Sequence, residues 1–191
     1  WGISADKRAD VFAGLDVRFF ADVQKAQYLF FVGCAGSFSE RNKLVTRSFI
    51  QVLNAARVDF AVLGTEEKCN CETARRIGNE YLFQQGVENS RTIFEKYQFK
   101  KILTTCPHCF NTFKNEYSDF GVNYEVIHHT EFIQSLIAKG DLRLRDDLDL
   151  EATFHDSCYM GRYNNVYEEP REILKTVSAS HQVTEMKNSK R

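Results

Sequence analysis

The chain has 191 residues, 43% hydrophobic and 27% charged, with a formal net charge of −1, which is enough for one domain or two small intimate ones around a real core. The near-neutral balance, with no Lys/Arg run, excludes the electrostatic footprint of a nucleic-acid-binding protein or a basic membrane anchor. The longest apolar run, Tyr28–Val32, has strand length, far short of the ~20 residues that span a bilayer.

No signal-peptide pattern opens the chain, and a start at Trp1 in place of Met is expected of a piece of something longer. Residues 1–27 carry Phe12, Leu15, Val17, Phe19 and Phe20 in weakly periodic surroundings and are expected to pack as an arm on the main body. Tyr28–Gly33 reads as a buried strand closed by glycine. Ser37 and Glu40 have capping-box spacing, and Val45, Phe49, Leu53 and Ala56 then mark one helical face. Phe60–Leu63 reads as a second strand stopped by Gly64. Glu72–Gln85 reads as a helix with Ile77, Tyr81 and Leu82 inward and a possible interruption at Gly86, the pattern continuing through Ile93, Phe94 and Tyr97.

Ile102–Thr105 is a third expected strand, Phe110–Tyr117 a short helix and Tyr124–Ile127 a fourth strand. Thr130 is placed as N-cap of a helix over Glu131–Lys139 that Gly140 stops. Leu142–Leu150 alternates apolar with charged residues and reads as a surface connection. Ala152–His155 is a fifth expected strand, Pro170 falls in the first turn of a helix, and Val183–Met186 is a last strand. Strands alternating with helices imply an α/β fold with a mainly parallel sheet covered on both faces.

The six cysteines fall at telling places. Cys34 follows the first strand, Cys69 and Cys71 come just after the second, Cys106 and Cys109 after the third, and Cys158 after the fifth. Parallel α/β sheets gather ligands beyond the carboxyl ends of their strands, so Cys34, Cys69, Cys106 and Cys109 are expected to converge on one rim. Each stands near a helix start, where thiolate is favoured. Four thiolates suit a [4Fe–4S] cluster or a tetrahedral Zn²⁺. A disulfide framework fits poorly, because small secreted scaffolds use cysteine more densely.

These residues carry a resemblance. Val32-Gly33-Cys34-Ala35-Gly36, Ala74–Glu80 and Thr104–Asn111 are similar to the cysteine-rich domain shared by heterodisulfide reductase and the iron–sulfur subunit of glycolate oxidase. In that family a Cys, a Cys-Cys-Gly and a Cys-x-x-Cys follow one another. His155–Asn164, with Cys158, resembles the start of the family's second copy of the motif. The resemblance implies two Rossmann-like lobes forming an imperfect internal repeat: an arm over 1–27, a first cysteine-rich lobe over 28–120, and a second over 121–191 that stops before its own Cys-Cys-Gly. Cys69-Asn70-Cys71 replaces the family's Cys-Cys-Gly, so a simple four-thiolate site is implied, with Cys69 favoured over Cys71 and with Cys158 an orphan.

The function so implied is electron transfer through a bound [4Fe–4S] cluster, in a component of a heterodisulfide reductase-like oxidoreductase. Its partners would be other redox subunits or domains (ferredoxin-like, flavin-containing or linked to membrane quinone), at a cytoplasmic location or peripheral to the inner membrane. A zinc-stapled docking module is the first alternative. A thiol–disulfide oxidoreductase working through Cys106-Pro107-His108-Cys109 is the second, although that fold needs another proline facing the dithiol and Pro170 is assigned to a helix. His155-Asp156 could relay protons or simply end a strand, and Arg75, Arg76 and Arg162 could balance cluster charge or form surface ion pairs. His128-His129 reads as a strand terminus, since adjacent strand residues face opposite ways. Gly33 and Gly36 form no phosphate-binding fingerprint.

Overall fold

The computed structural model describes residues 5–145, 148, 151–178 and 183–190. The chain divides into two compact units, Trp1–Ile127 and His128–Arg191.

The first unit is built on β1 (Tyr28–Phe31), whose Leu29, Phe30 and Phe31 are fully buried. A continuous apolar strand of this kind suits a sheet covered on both faces. β1 pairs in parallel with β2 (Phe60–Ala61), Tyr28 against Phe60, and with β3 (Lys101–Thr104), Tyr28 against Lys101 through Phe31 against Thr104. With β4 (Glu125–His128) the strand order is β2-β1-β3-β4. The expected strands Phe60–Leu63, Ile102–Thr105 and Tyr124–Ile127 are therefore present, each displaced or shortened by a residue or two. Phe30 packs edge-on against Phe49, and Phe31 against Phe113 and Phe94, so aromatic rings fill the layers next to the sheet.

The N-terminal arm is an integral layer. A 3₁₀ turn over Ala5–Phe12 buries Arg8, Val11 and Phe12. α1 (Phe20–Val23) follows, and Phe19 bridges Val62 in parallel, with Phe20 N–H donating to Val62 O at 2.9 Å and Val62 N–H to Arg18 O at 2.9 Å. The free side of short β2 is thereby covered.

After β1 come α2 (Gly33–Phe38) and α3 (Glu40–Ala55). The Ser37/Glu40 capping box is not formed: Ser39 is the N-cap of α3, and the Ser37 hydroxyl donates to Gly33 O at 2.8 Å within α2. The buried face of α3 is Thr46, Phe49, Ile50 and Leu53, with Val45 and Ala56 only half-buried. The helix expected over Glu72–Gln85 is two, α4 (Glu72–Arg76) and α5 (Glu80–Phe94), separated at Gly78 (φ +82°). That break turns the expected inward face outward: Ile77 and Tyr81 are 75% and 72% exposed, and Phe83, Gly86, Val87 and Ser90 are buried instead. Gly86 does not interrupt α5 but lies inside it.

α6 (Pro107–Asn111) follows β3, then a π turn over Thr112–Glu116 and a 3₁₀ turn over Tyr117–Phe120, in place of one helix over Phe110–Tyr117.

In the second unit α7 (His129–Lys139) is capped by His128, whose side chain and that of Glu131 form a reciprocal box; Thr130 hydrogen-bonds the His128 ring at 2.9 Å and is not the cap. Gly140 ends α7 with φ +78° as expected. Pro170 sits in the first turn of α8 (Glu168–Val177), which packs with α7. Arg171, almost fully buried, forms a two-oxygen pair with Asp156 at 2.7 and 2.9 Å and a second with Glu185 at 2.5 and 3.0 Å. The strands expected over Ala152–His155 and Val183–Met186 are reduced to one parallel bridge, Ala152 with Val183. Of the expected surface connection Leu142–Leu150, residues 146, 147, 149 and 150 lie outside the described residues; Leu148 is exposed. Among the described residues no helix is long and apolar enough to cross a membrane.

Candidate metal centre

Three loops, each leaving the carboxyl end of a parallel strand, bring five cysteines into one neighbourhood. The β1 loop turns at Gly33 (φ +76°) into α2, which carries Cys34. A Cβ on Gly33 would stand 3.3 Å from Cys109 Sγ and 4.0 Å from Cys106 Cβ. Cys34 and the Cys106/Cys109 turn are thus on the same side of the sheet. That closeness follows from β1 and β3 being sheet neighbours whose ends align at Phe31 and Thr104.

Cys34 and Cys69 are close enough to act on each other's protons, Cys71 donates its N–H to Cys69 Sγ at 3.3 Å and its thiol to Cys69 O at 3.6 Å, and Cys106 and Cys109 form a second interacting pair. The thiols are polarised by these contacts. Sharing its proton with Cys69, and then burial, push the Cys34 thiol far up. Cys69 is lowered by accepting from Cys34, but donation to Cys71 and burial outweigh this and leave it raised. Cys71, which accepts from Cys69, is lowered to about 7. Cys106 is lowered to about 6 by the thiol of Cys109, helped by the backbone N–H groups of Cys109 and His108, while Cys109 is raised by the same bond and by burial. Cys71 and Cys106 are the two thiols of this group shifted toward thiolate, and Cys34 stands in the first turn of α2, near the helix start.

Cys71 takes the left-handed backbone (φ +58°) and caps α4. Its position is set from behind: a Cβ on Gly86 would be 2.6 Å from Cys71 Cβ and 2.7 Å from its Sγ, so only glycine lets α5 approach. The buried Tyr117 hydroxyl donates to Asn70 O at 3.2 Å and contacts Ser90 Oγ at 3.1 Å, pinning the Cys69–Cys71 loop to α5. His108 Nδ1 lies 3.2 Å from Glu72 Oε1, tying the α4 and α6 turns together.

Beneath Cys34 lies a charged pair that no sequence pattern announces. Glu67, fully buried, accepts the N–H groups of Val32 and Gly33, each at 2.9 Å, and an Arg8 N–H at 2.7 Å. Burial pushes its carboxyl up to about 7, against the pull of Arg8 and the two amides. Neither residue belongs to a cysteine motif, and nothing in the local pattern marks a Glu two positions before Cys69 as buried. The site roles of Gly33, Gly86 and Tyr117 likewise carry no sequence signal.

Cys158 lies in the second unit and is exposed. Asp156, two residues earlier, is held well below the usual carboxylate range by Arg171, so the His155-Asp156 pair is anchored by an ion pair, with His155 exposed. Arg75 and Arg76 pair with Glu116, Asp119 and Glu72, which is the ion-pairing reading of those residues. His128 ends β4, as expected of a strand terminus.

Among the described residues, no three Cys, His, Asp or Glu side chains are arranged to hold one metal ion. The donor set itself fits thiolate chemistry: soft sulfurs with backbone N–H groups aimed at Cys69 (3.3 Å from Cys71 N) and Cys106, in a region where Phe31, Phe110 and Phe113 are buried.

The chain is similar to the "Probable iron-sulfur-binding oxidoreductase FadF" of Bacillus subtilis (strain 168), 50% identical over 164 residues that make up 86% of this chain and 23% of that protein. It is similar to the "EtfAB:quinone oxidoreductase" of Syntrophomonas wolfei subsp. wolfei, 45% identical over 169 residues, 88% of this chain and 23% of that protein. It also resembles one subunit of the "Dihydromethanophenazine:CoB--CoM heterodisulfide reductase" of Methanosarcina acetivorans, 30% identical over 156 residues, 78% of this chain and 38% of that protein. The chain thus spans under a quarter of the length of the first two. No solved structure matches it significantly. A family model described as "CCG: Cysteine-rich domain" matches residues 28–114 and 152–191, the two stretches that carry all six cysteines, and the chain belongs to that cysteine-rich domain family.

Proposed function

We propose that this chain is the iron–sulfur-binding, electron-transferring part of a larger oxidoreductase of the heterodisulfide reductase-like kind. The observation that carries the reading is the convergence of sulfurs from the β1, β2 and β3 loops, with Gly33 stacked directly on the Cys106/Cys109 turn. Cys34, Cys69, Cys106 and Cys109 are the proposed ligands of a [4Fe–4S] cluster. Cys69 is preferred to Cys71 because it shares one cavity wall with Cys34, whereas Cys71 faces α5 at Gly86.

When bound, such a cluster supplies one-electron transfer at a potential set by its surroundings. The chain's own residues prepare those surroundings. The Cys71 N–H at 3.3 Å from Cys69 Sγ and the amides of His108 and Cys109 at Cys106 would stabilise negative charge on sulfur. Phe31, Phe110 and Phe113 exclude water from the sheet side. Donors and acceptors would be the other redox subunits or domains of the complex, flavin-, ferredoxin- or quinone-linked, in the cytoplasm or peripheral to the inner membrane. The names of two relatives, one a quinone oxidoreductase and one a heterodisulfide reductase, support that kind of partner.

Anaerobic reconstitution with iron and sulfide, followed by metal analysis, tests the reading. The expected product is brown, holds iron and sulfide in equal amounts, and bleaches on reduction. A colourless protein that retains zinc would establish the docking-module alternative. A protein that holds neither metal, yet reduces insulin with Cys106 and Cys109, would establish the dithiol alternative.

A further inference from the structure

The N-terminal arm contributes one residue whose side-chain hydrogen bonds, among the described residues, go to the site. Arg8 is 6% exposed. Its Nη1 donates to Glu67 at 2.7 Å and to Ser37 Oγ at 3.1 Å, its Nη2 donates to Cys34 Sγ at 3.3 Å, and its guanidinium lies 5.0 Å from the centre of the Phe38 ring. Ala5 and Arg8 form one wall of a cavity of about 360 Å³ over Cys34 and Cys69, completed by Phe38, Glu67, Lys68 and Thr73. The arm is held there by Arg47, whose Nη1 donates to Val11 O and Ala13 O, both at 2.8 Å. Arg8 also lies outside the stretches matched by the family model, which begin at residue 28.

A buried guanidinium is costly unless its donors are used. Here the planar fork reaches a carboxylate, a hydroxyl and a sulfur at once. Glu67 neutralises Arg8 on one side while fixing the Val32 and Gly33 amides of the turn that carries Cys34. The other side of the fork points at the sulfur.

We propose that Arg8 is a positioning residue of the thiolate centre, one that donates an N–H···S bond to Cys34 and sets the reduction potential of whatever redox centre Cys34 ligates. The inference rests on the iron–sulfur reading. One-electron reduction adds a negative charge, which a cation at hydrogen-bond range of a ligand sulfur stabilises. Removing that cation lowers the potential.

The test compares reconstituted wild-type protein with R8K, which keeps the charge, and E67Q with R8Q/E67Q, two proteins that differ only in the Arg8 cation. The readout is the midpoint potential from an anaerobic dye titration. R8Q/E67Q is expected to be about tenfold harder to reduce than E67Q, a fall of about 59 mV for one electron, with R8K close to wild type. R8Q/E67Q taking up no iron where E67Q loads normally also supports the role. Equal potentials in E67Q and R8Q/E67Q, or R8K shifted from wild type as far as R8Q/E67Q is from E67Q, overturn it. If wild type itself takes up no iron, the iron–sulfur reading fails and this inference falls with it, whereas a loaded wild type with unshifted variants removes this inference alone.

Discussion

Single residues decide how closely the sulfurs meet. Gly33 has both a left-handed backbone and a sulfur 3.3 Å from where a Cβ would stand. Gly33→Ala should therefore cost about 1–2 kcal/mol from the backbone alone and also lower iron uptake, read by urea melts and metal analysis on the same samples. Gly86 gives a sharper case. A glycine inside a helix ordinarily gains about 0.5–1 kcal/mol on replacement by alanine, but here the new methyl would meet Cys71 at 2.6 Å. We expect Gly86→Ala to destabilise by about 1–3 kcal/mol and Cys71→Gly, which removes both the Cβ and the sulfur that the new methyl meets, to recover most of that loss, a reversal that a double-mutant cycle in urea would show or refute. The thiols add a pH prediction. Since Cys106 is lowered to about 6 by the Cys109 thiol, its alkylation in metal-free protein should stay near its plateau from alkaline pH down to about 6 and fall below that. Mass spectrometry of the modified peptide follows the rate, and a fall already complete at pH 7 would contradict the Cys106–Cys109 hydrogen bond.

At the scale of elements, the sequence was most legible where periodicity was long or the strand fully apolar. β1 and α3 follow from Tyr28–Phe31 and from the spacing of Phe49 and Leu53. The misread stretch is Glu72–Phe94, where a glycine in the left-handed region split one apparent helix and rotated its second half, leaving Ile77 and Tyr81 in solvent. Period-based reading cannot register such a break, because both halves remain helical. The C-terminal strands failed for another reason: short apolar runs such as Ala152–His155 need a partner to become strands, and among the described residues that run formed the single Ala152–Val183 bridge. What ties α8 to its surroundings instead is the Asp156–Arg171–Glu185 group, visible only in three dimensions. Arg171 holds the folded-state pKa of Asp156 below its ordinary value, so the carboxylate contributes stability above the usual carboxylate range and loses it as pH falls through the lowered value. Asp156→Asn should destabilise at neutral pH and flatten the acid limb of the stability curve, measured as the urea midpoint between neutral and strongly acidic pH. An unchanged acid limb would show that the pair contributes little.

For the whole molecule, the decisive regularity was that every cysteine of the first unit follows a strand, and parallel sheets assemble such positions on one rim. On that rule Cys34 belongs beside Cys106 and Cys109, and it stands there because β1 and β3 are adjacent. Arg8 and Glu67 escape the rule, since their burial depends on an arm with no motif of its own. The same strand order ranks the loops by how firmly they are held. β1 and β3 share four register pairs, whereas β2 is joined to β1 by only Tyr28–Phe60 and Leu29–Ala61. The segment bearing Cys69 and Cys71 therefore has the shorter ladder behind it. Damage by air would begin at that corner, and gentle proteolysis of aged protein would cut first between residues 64 and 71, leaving the Cys34 and Cys106 turns on separate fragments.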